Sequence, residues 1–314
     1  MANLKEVRIR IASVHSTQQI TKAMKMVAAA KLRKAQNNAM QLRPYADKLS
    51  SILQNVSATL DGGDFENPYA EIRPIRNVLI IVVTSDKGLC GGFNANVVKG
   101  TASLIAEKYA QQAQSGCVEI MTVGKKGFDA FRKRNYKLNS EYALILGKKD
   151  FNFDDIKPAA EFAMKGFAEG RYDAVEIVYN EFKNVATQVV RREAFLPIAP
   201  KVSDASSNKS SNPKKADASN LKAENTDSDY IFEPNKIEIL TELIPKSLKL
   251  TFYRAVLESV ASEHGARMTA MDKATENAGS LLTQLKLTYN QTRQAHITKE
   301  ILEIVGGAEA LASS

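Results

Sequence analysis

LKEVRIRIASVHSTQQITKAMKMVAAAKLRKA, residues 4–35, decides the fold. Alternating steps of three and four from Leu4 pass through Val7, Ile11, Val14, Gln18, Thr21, Lys25, Ala28 and Leu32. The same steps continue through Ala35, Ala39, Leu42, Ala46, Leu49, Leu53 and Val56 to Leu60. Fourteen of these seventeen positions are apolar, the periodicity of a coiled-coil seam. Its three polar positions, Gln18, Thr21 and Lys25, are consecutive, and Ile20, Met24 and Val27 form a second apolar stripe beside them. The spacing therefore predicts a buried face that rotates at this level. Pro44 predicts a kink or a short break. Some 55 residues of helix reach roughly 80 Å, which is a rod and not one element of a compact domain.

The charge is as uneven as the pattern. Residues 1–58 hold ten Lys and Arg against Glu6 and Asp47, which accounts for the whole chain's net charge of +8. The remaining residues are balanced. A basic stripe confined to one helix implies an acidic partner. With Tyr45 its sole aromatic, the stripe has little on which to stack bases, which argues against nucleic acid. At 44% hydrophobic and 25% charged, the chain of 314 residues can bury a large core. Its longest apolar run, Val78–Val83, is six residues, so nothing inserts directly into a bilayer. Two cysteines, Cys90 and Cys117, point to a reducing compartment, and three scattered histidines give no metal centre. The acid-poor N-terminus looks like a targeting peptide, but its helical pattern runs on past any cleavage point.

Asp61-Gly-Gly-Asp64 ends the rod. Beyond it the pattern predicts strands at 78–84, 118–123, 142–146, 175–179 and 186–192. Helices are expected from the glycine-rich turn to about Ser115, and at 125–134 and 153–169. Alternating strands and helices imply a largely parallel sheet covered on both faces, with the last two strands as a hairpin. Residues 203–229 are polar and poor in large apolar groups, which predicts a disordered loop. From Pro234 the chain reads as helix again, broken at Pro245 and weakened at Gly306-Gly307. Met271, Ala274, Ala278, Leu281 and Leu285 keep the three-four spacing, as do Ile297, Ile301, Ile304, Ala308 and Leu311. A polar stretch, 289–296, separates the two runs. Two apolar–polar–apolar rods at opposite ends of one chain pair most economically with each other, antiparallel.

The sharpest local motif is Thr84-Ser-Asp-Lys-Gly-Leu-Cys-Gly-Gly-Phe-Asn94. Glycines after a strand suggest a phosphate cradle, yet the spacing fits neither the dinucleotide fingerprint nor the P-loop. The turn reads better as a structure displaying Asp86 and Lys87 to a partner. Cys90 has no histidine near it in sequence and reads as a buried thiol. Glu258, Glu263, Asp272 and Glu276 could be an acid–base set; at helical spacing they read as solvated faces or ion pairs with Arg254, Arg267 and Lys273. No catalytic constellation stands out. Two helices cannot bury both sides of a rod, so the rod is expected to lie inside something else.

Residues 9–34, the segment SDKGLCGGFN (85–94), SEHGARMTAM (262–271) and the ending from Ile297 to Ala308 resemble the gamma subunits of F-type ATP synthases, bacterial type. That resemblance implies an α/β fold class: an antiparallel coiled coil of long N- and C-terminal helices with a central Rossmann-like α/β domain. The corresponding division is 1–60, 61–202, a loop at 203–229, and 230–314. It implies a rotor shaft that couples proton flow through the membrane ring to conformational cycling of catalytic beta subunits. The chain itself would be non-catalytic and hold no cofactor. Alpha and beta subunits would surround the shaft, and an epsilon subunit and the c-ring would meet the α/β domain. The implied location is the cytoplasmic face of the bacterial inner membrane. By motif position, Arg293 and Gln294 resemble a polar catch for a beta loop, and the 85–94 turn resembles the element that meets an acidic beta lever. Met24 and Lys25 open the polar seam, and Ile297, Ile301 and Ile304 belong to a tip turning in an apolar sleeve. The 203–229 loop is longer than in most bacterial members and lacks the cysteine pair of the light-regulated chloroplast type. The absence of a presequence favours a bacterial source. A coiled-coil scaffold with a nucleotide-sensing, flavodoxin-like domain is the alternative; it expects a ligand at the carboxyl edge of the sheet.

Overall fold

The computed structural model describes residues 4–58, 67–134, 136–148, 151–185, 187–198 and 235–312. The expected loop at 203–229 lies outside them, as does the Asp61–Asp64 boundary. Helix α1 (Leu4–Ala58) and helix α6 (Lys236–Ala312) are the two rods. They run antiparallel in one register. Arg8 meets Tyr289, Lys25 meets Asp272, and Thr21 meets Thr275, so paired residue numbers sum to 296 or 297 from Arg8 to Lys25. The seam is the one that the spacing predicts. Val7, Thr21, Ala28, Leu32, Ala35 and Leu49 are buried, with Gln18 and Lys25 half-buried between them.

The buried face does not rotate at the polar level. Ile20 and Val27 remain 57% and 58% exposed, while Thr21 is buried. The reason is satisfaction of the polar groups in place: the Thr275 hydroxyl donates to the Thr21 hydroxyl at 2.8 Å, and Lys25 pairs with Asp272 at 2.5 Å. A seam polar group with a partner costs little, so the apolar stripe is left facing outward. On α6 the seam runs through Met271, Ala278 and Leu282, not Leu281. Neither proline interrupts the helices: Pro44 lies inside α1 and Pro245 inside α6. Each removes one backbone bond from a helix anchored on both sides, by Leu32, Ala35 and Leu49 around Pro44 and by Leu240, Leu248 and Leu250 around Pro245. Gly306 and Gly307 are also helical, since glycine weakens a helix without forcing a turn.

Between the rods lies a five-stranded sheet in the order β3-β2-β1-β4-β5. Strands β1 (Val78–Val83), β2 (Val118–Val123), β3 (Lys137–Asn139) and β4 (Ala174–Phe182) are parallel. Strand β5 (Gln188–Leu196) returns antiparallel to β4, the expected hairpin. Helices α2 (Phe93–Lys108) and α4 (Lys125–Arg132) cover one face, where Val97, Ile105 and Phe131 pack on Val78, Ile80 and Val82. A five-residue helix, α3 (Ala110–Gln114), follows α2, so the helix expected to reach Ser115 is broken at Tyr109. The other face is covered by α5 (Phe153–Ala168) and by the rods themselves. Leu32 and Ala35 of α1 and Phe252, Val256 and Ala261 of α6 share one core with Leu79, Ile81 and Ile177. The head is therefore welded along the shaft.

The expected third strand at 142–146 is instead a turn running into a 3-10 helix at Ile145–Gly147. The edge strand is the polar Lys-Leu-Asn at 137–139, which pairs with Glu119–Met121. The apolar run predicts a strand because it is hydrophobic; Tyr142 instead plugs the core from a turn, with Ile145 and Leu146 packed against it and Leu144 exposed.

Candidate functional site

In an open parallel sheet the ligand crevice lies where strand order reverses, beyond the carboxyl ends of two neighbouring strands. Here those strands are β1 and β4, since α2 and α4 cross on one face and α5 on the other. The crevice is filled by the shaft. Gly265 of α6 sits so close to Phe182 that a Cβ added there would lie 3.1 Å from the ring. The Thr269 hydroxyl donates to Val185 O at 3.2 Å, and Arg267 Nη2 donates to Lys87 O at 2.9 Å and to Gly88 O at 3.3 Å. The place where a nucleotide-binding relative of this sheet would hold its ligand is thus taken by Gly265–Thr269.

The glycine-rich turn after β1 is built to be gripped this way. The Ser85 hydroxyl donates to Lys87 O at 2.8 Å, and Asn94 Nδ2 donates to Ser85 Oγ at 2.7 Å and to Cys90 Sγ at 3.2 Å. Cys90 is a buried thiol, as its surroundings in sequence suggested. Lys87 is exposed. Asp86 is turned inward instead: its Oδ1 accepts the Lys125 N–H at 3.0 Å and its Oδ2 is buried without a hydrogen bond. Burial accordingly pushes the Asp86 carboxyl above its usual range.

Beneath the turn, Glu263 and Arg267 form an ion pair at 2.7 Å in which both side chains are nearly buried. Burial raises the Glu263 pKa, and the guanidinium pulls it back. Arg267 Nη1 lies 3.2 Å from His264 Nδ1. Desolvation, with Arg267 and Lys31 nearby, lowers that imidazole to about 4, so it is neutral and accepts a hydrogen bond from the guanidinium. A cavity of about 550 Å³ opens beside this cluster, lined among others by Lys31, Lys34, Asp86, Lys87, Lys148 and Arg267. Glu263 lines it as well, so five cations face two acids, and the cavity attracts anions.

The remaining sequence-derived positions are spread along the rod. Met24 and Lys25 are half-buried, Lys25 in its pair with Asp272. Arg293 and Gln294 are exposed, at the level at which Leu4 begins α1. Ile297, Ile301 and Ile304 lie past that level, all exposed, with Leu302 and Val305 beside them. The turn and the tip are therefore separate sites. Of the carboxylates considered together, Glu263 pairs with Arg267 and Asp272 with Lys25, while Arg254 reaches Glu193 on β5 at 3.4 Å. Sequence reasoning missed the Arg267 clasp. SEHGARMTAM was visible as a motif, but a partner 180 residues away leaves no periodicity to read.

This geometry is that of a rod-and-head protein, its ligand crevice closed by its own shaft and a run of exposed apolar groups at the rod's end. The family model for ATP synthase matches residues 3–311. The ATP synthase gamma chain of Cytophaga hutchinsonii is 57% identical over 99% of both chains. That of Flavobacterium psychrophilum is 49% identical over the same share, and that of Chloroherpeton thalassium is 48% identical over the whole of both. The chain belongs to the ATP synthase gamma chain family. Its fold is also that of a chain in the Euglena gracilis mitochondrial ATP synthase in rotational state 3, with TM-score 0.60 and 20% identity over 98% of this chain and 94% of that one. A second Euglena chain, from the rotor in rotational state 1, gives TM-score 0.56 at 21% identity, covering 94% and 98%. No helix among the described residues is long and apolar enough to cross a membrane.

Proposed function

We propose that the chain is the central shaft of a rotary ATP synthase, transmitting rotation of the membrane ring to catalytic subunits that enclose it. The observation that carries this reading is the rod's geometry: two long helices paired antiparallel, in one register from Arg8 to Lys25, then an exposed apolar helix beyond the start of α1. Such a tip is stable in water only at a cost, and an enclosing apolar sleeve removes that cost. Alpha and beta subunits form the enclosure, and epsilon and the c-ring meet the α/β head. The assembly sits peripherally on the cytoplasmic side of the membrane.

The chain performs no chemistry itself. Rotation is coupled to nucleotide affinity because each orientation must contact one beta conformation better than another. Lys87 meets an acidic lever, Met24 and Lys25 mark the level where the seam turns polar, and Arg293 and Gln294 form a catch near the tip. Exposed ion pairs are worth about 0–1 kcal/mol each, so these groups index the rotor and do not clamp it. The nucleotide-sensing alternative is disfavoured by α6 lying across the crevice.

Reconstitution tests the proposal. The full chain should assemble with alpha and beta subunits and restore ATP hydrolysis, while showing no hydrolysis alone. Arg293→Ala should lower the coupled rate about fivefold, the equivalent of one charged contact of about 1 kcal/mol. An active complex that forms without the chain and gains nothing from its addition would refute the shaft assignment.

A further inference from the structure

Leu89 is the one non-glycine residue with positive φ among the described residues, at 63°. Its side chain is also 64% exposed. Both features run against local preference. A γ-branched side chain in the left-handed region crowds its own backbone, and an isobutyl group in water forgoes burial. Such strain persists only where surrounding contacts impose it. Here they do: Arg267 holds the carbonyls of Lys87 and Gly88 on one side, and the buried Cys90, contacted by Asn94 Nδ2, anchors the other. The chain is clamped at both ends of Leu89, and the tip between the clamps points away from the core.

The surroundings of that tip are cationic. Lys87 is exposed two residues before it, and Lys31, Lys34 and Lys148 line the adjoining cavity. Lys125 and Lys126 open the neighbouring helix, where the Lys126 N–H donates to Ser85 O at 3.0 Å. Of the acids there, Asp86 turns to the Lys125 N–H and Glu263 to Arg267, while Asp129 pairs with Lys126 and Asp155 with Lys148, which leaves cations in excess. An apolar point two residues from the exposed Lys87, on a surface with cations in excess, fits a partner segment that is acidic and offers an apolar cleft.

We propose that Leu89 is the apolar anchor of the shaft's contact with an acidic segment of the catalytic partner subunits. This rests on the shaft reading above. The lysines draw the segment in and orient it, and Leu89, held rigid by the turn, fixes the depth and position of contact.

The test uses complexes of alpha and beta subunits with the full chain carrying Leu89→Gly, Leu89→Ser or Leu89→Met. Glycine relieves the positive φ, so the isolated Leu89→Gly chain should melt no lower than wild type. In the complex, Gly and Ser should each lower coupled turnover about fivefold or more, as expected for losing one buried leucine, while Met retains most of it. The Gly defect should persist at high salt, where a Lys87→Gln defect fades. Wild-type turnover for both the Gly and Ser complexes at every salt concentration would overturn the anchor and leave the shaft intact. Failure of the wild-type chain to join the complex would overturn the shaft reading, and the anchor with it.

Discussion

Gly124 carries a constraint that its neighbours in sequence do not announce. Its φ is 111°, and a Cβ there would lie 2.1 Å from Thr84 O. The same junction ties β1 to α4, because the Thr84 hydroxyl donates to Gly124 O and accepts the Gly127 N–H. Gly124→Ala should therefore destabilise the chain by more than about 2 kcal/mol, read as a lower denaturation midpoint. His264 gives a pH signature. Its folded pKa of about 4 lies below the unfolded value of 6.5, so on acidification the unfolded chain takes up the proton first. Stability is retained above about pH 6.5 and lost as pH falls toward 4, by no more than about 3 kcal/mol. A His264→Gln variant should lack this part of the acid loss; equal pH profiles for the two proteins would contradict the assignment. At this scale the sequence was partly legible. Residues 84–94 stood out through their glycines, and Cys90 was read correctly as buried. The inward turn of Asp86 and the positive φ of Leu89 were not legible, since both are imposed by groups distant in the chain.

Among the elements, the clearest expectation concerns two adjacent leucines. Leu282 is 7% exposed in the seam, whereas Leu281 is 36% exposed on its flank. Leu282→Asp should lower the melting temperature of the full chain by several degrees, as a buried unpaired charge does, and Leu281→Asp should change it little. The three-four spacing located this seam to within one residue. It could not choose between two neighbouring leucines, because either satisfies the local pattern and only the facing helix decides. A second limit shows at Ile20, Thr21 and Val27. Hydrophobicity alone favours burying the first and last, but Thr21 finds Thr275 across the seam and stays inside. Pairing between distant helices overrode the pattern there. The strand expected at 142–146 fails for a related reason: Tyr142 reaches the core from a turn and Leu144 is 67% exposed, so an apolar run does not fix the backbone conformation.

For the whole molecule, the architecture was legible because it is written in long repeats: two rods at the chain ends, with alternating strands and helices between them. How the head sits on the shaft was not, as it depends on Arg267, Gly265 and Thr269 reaching segments far away in sequence. Removing residues 297–312 should leave the melting temperature of the isolated chain nearly unchanged, because the described side chains there are exposed. The same truncation should weaken assembly with the enclosing subunits, measured by the concentration needed for half-maximal complex formation. The stretch beyond Leu4 has a mechanical corollary. A lone α-helix twists far more easily than two helices locked by cross-links such as Lys25–Asp272 and Thr21–Thr275. A turning couple applied at the head is therefore resisted mainly below the tip, where the rod is double. The upper end acts as a compliant pivot, keeping the axis centred while bearing little of the load.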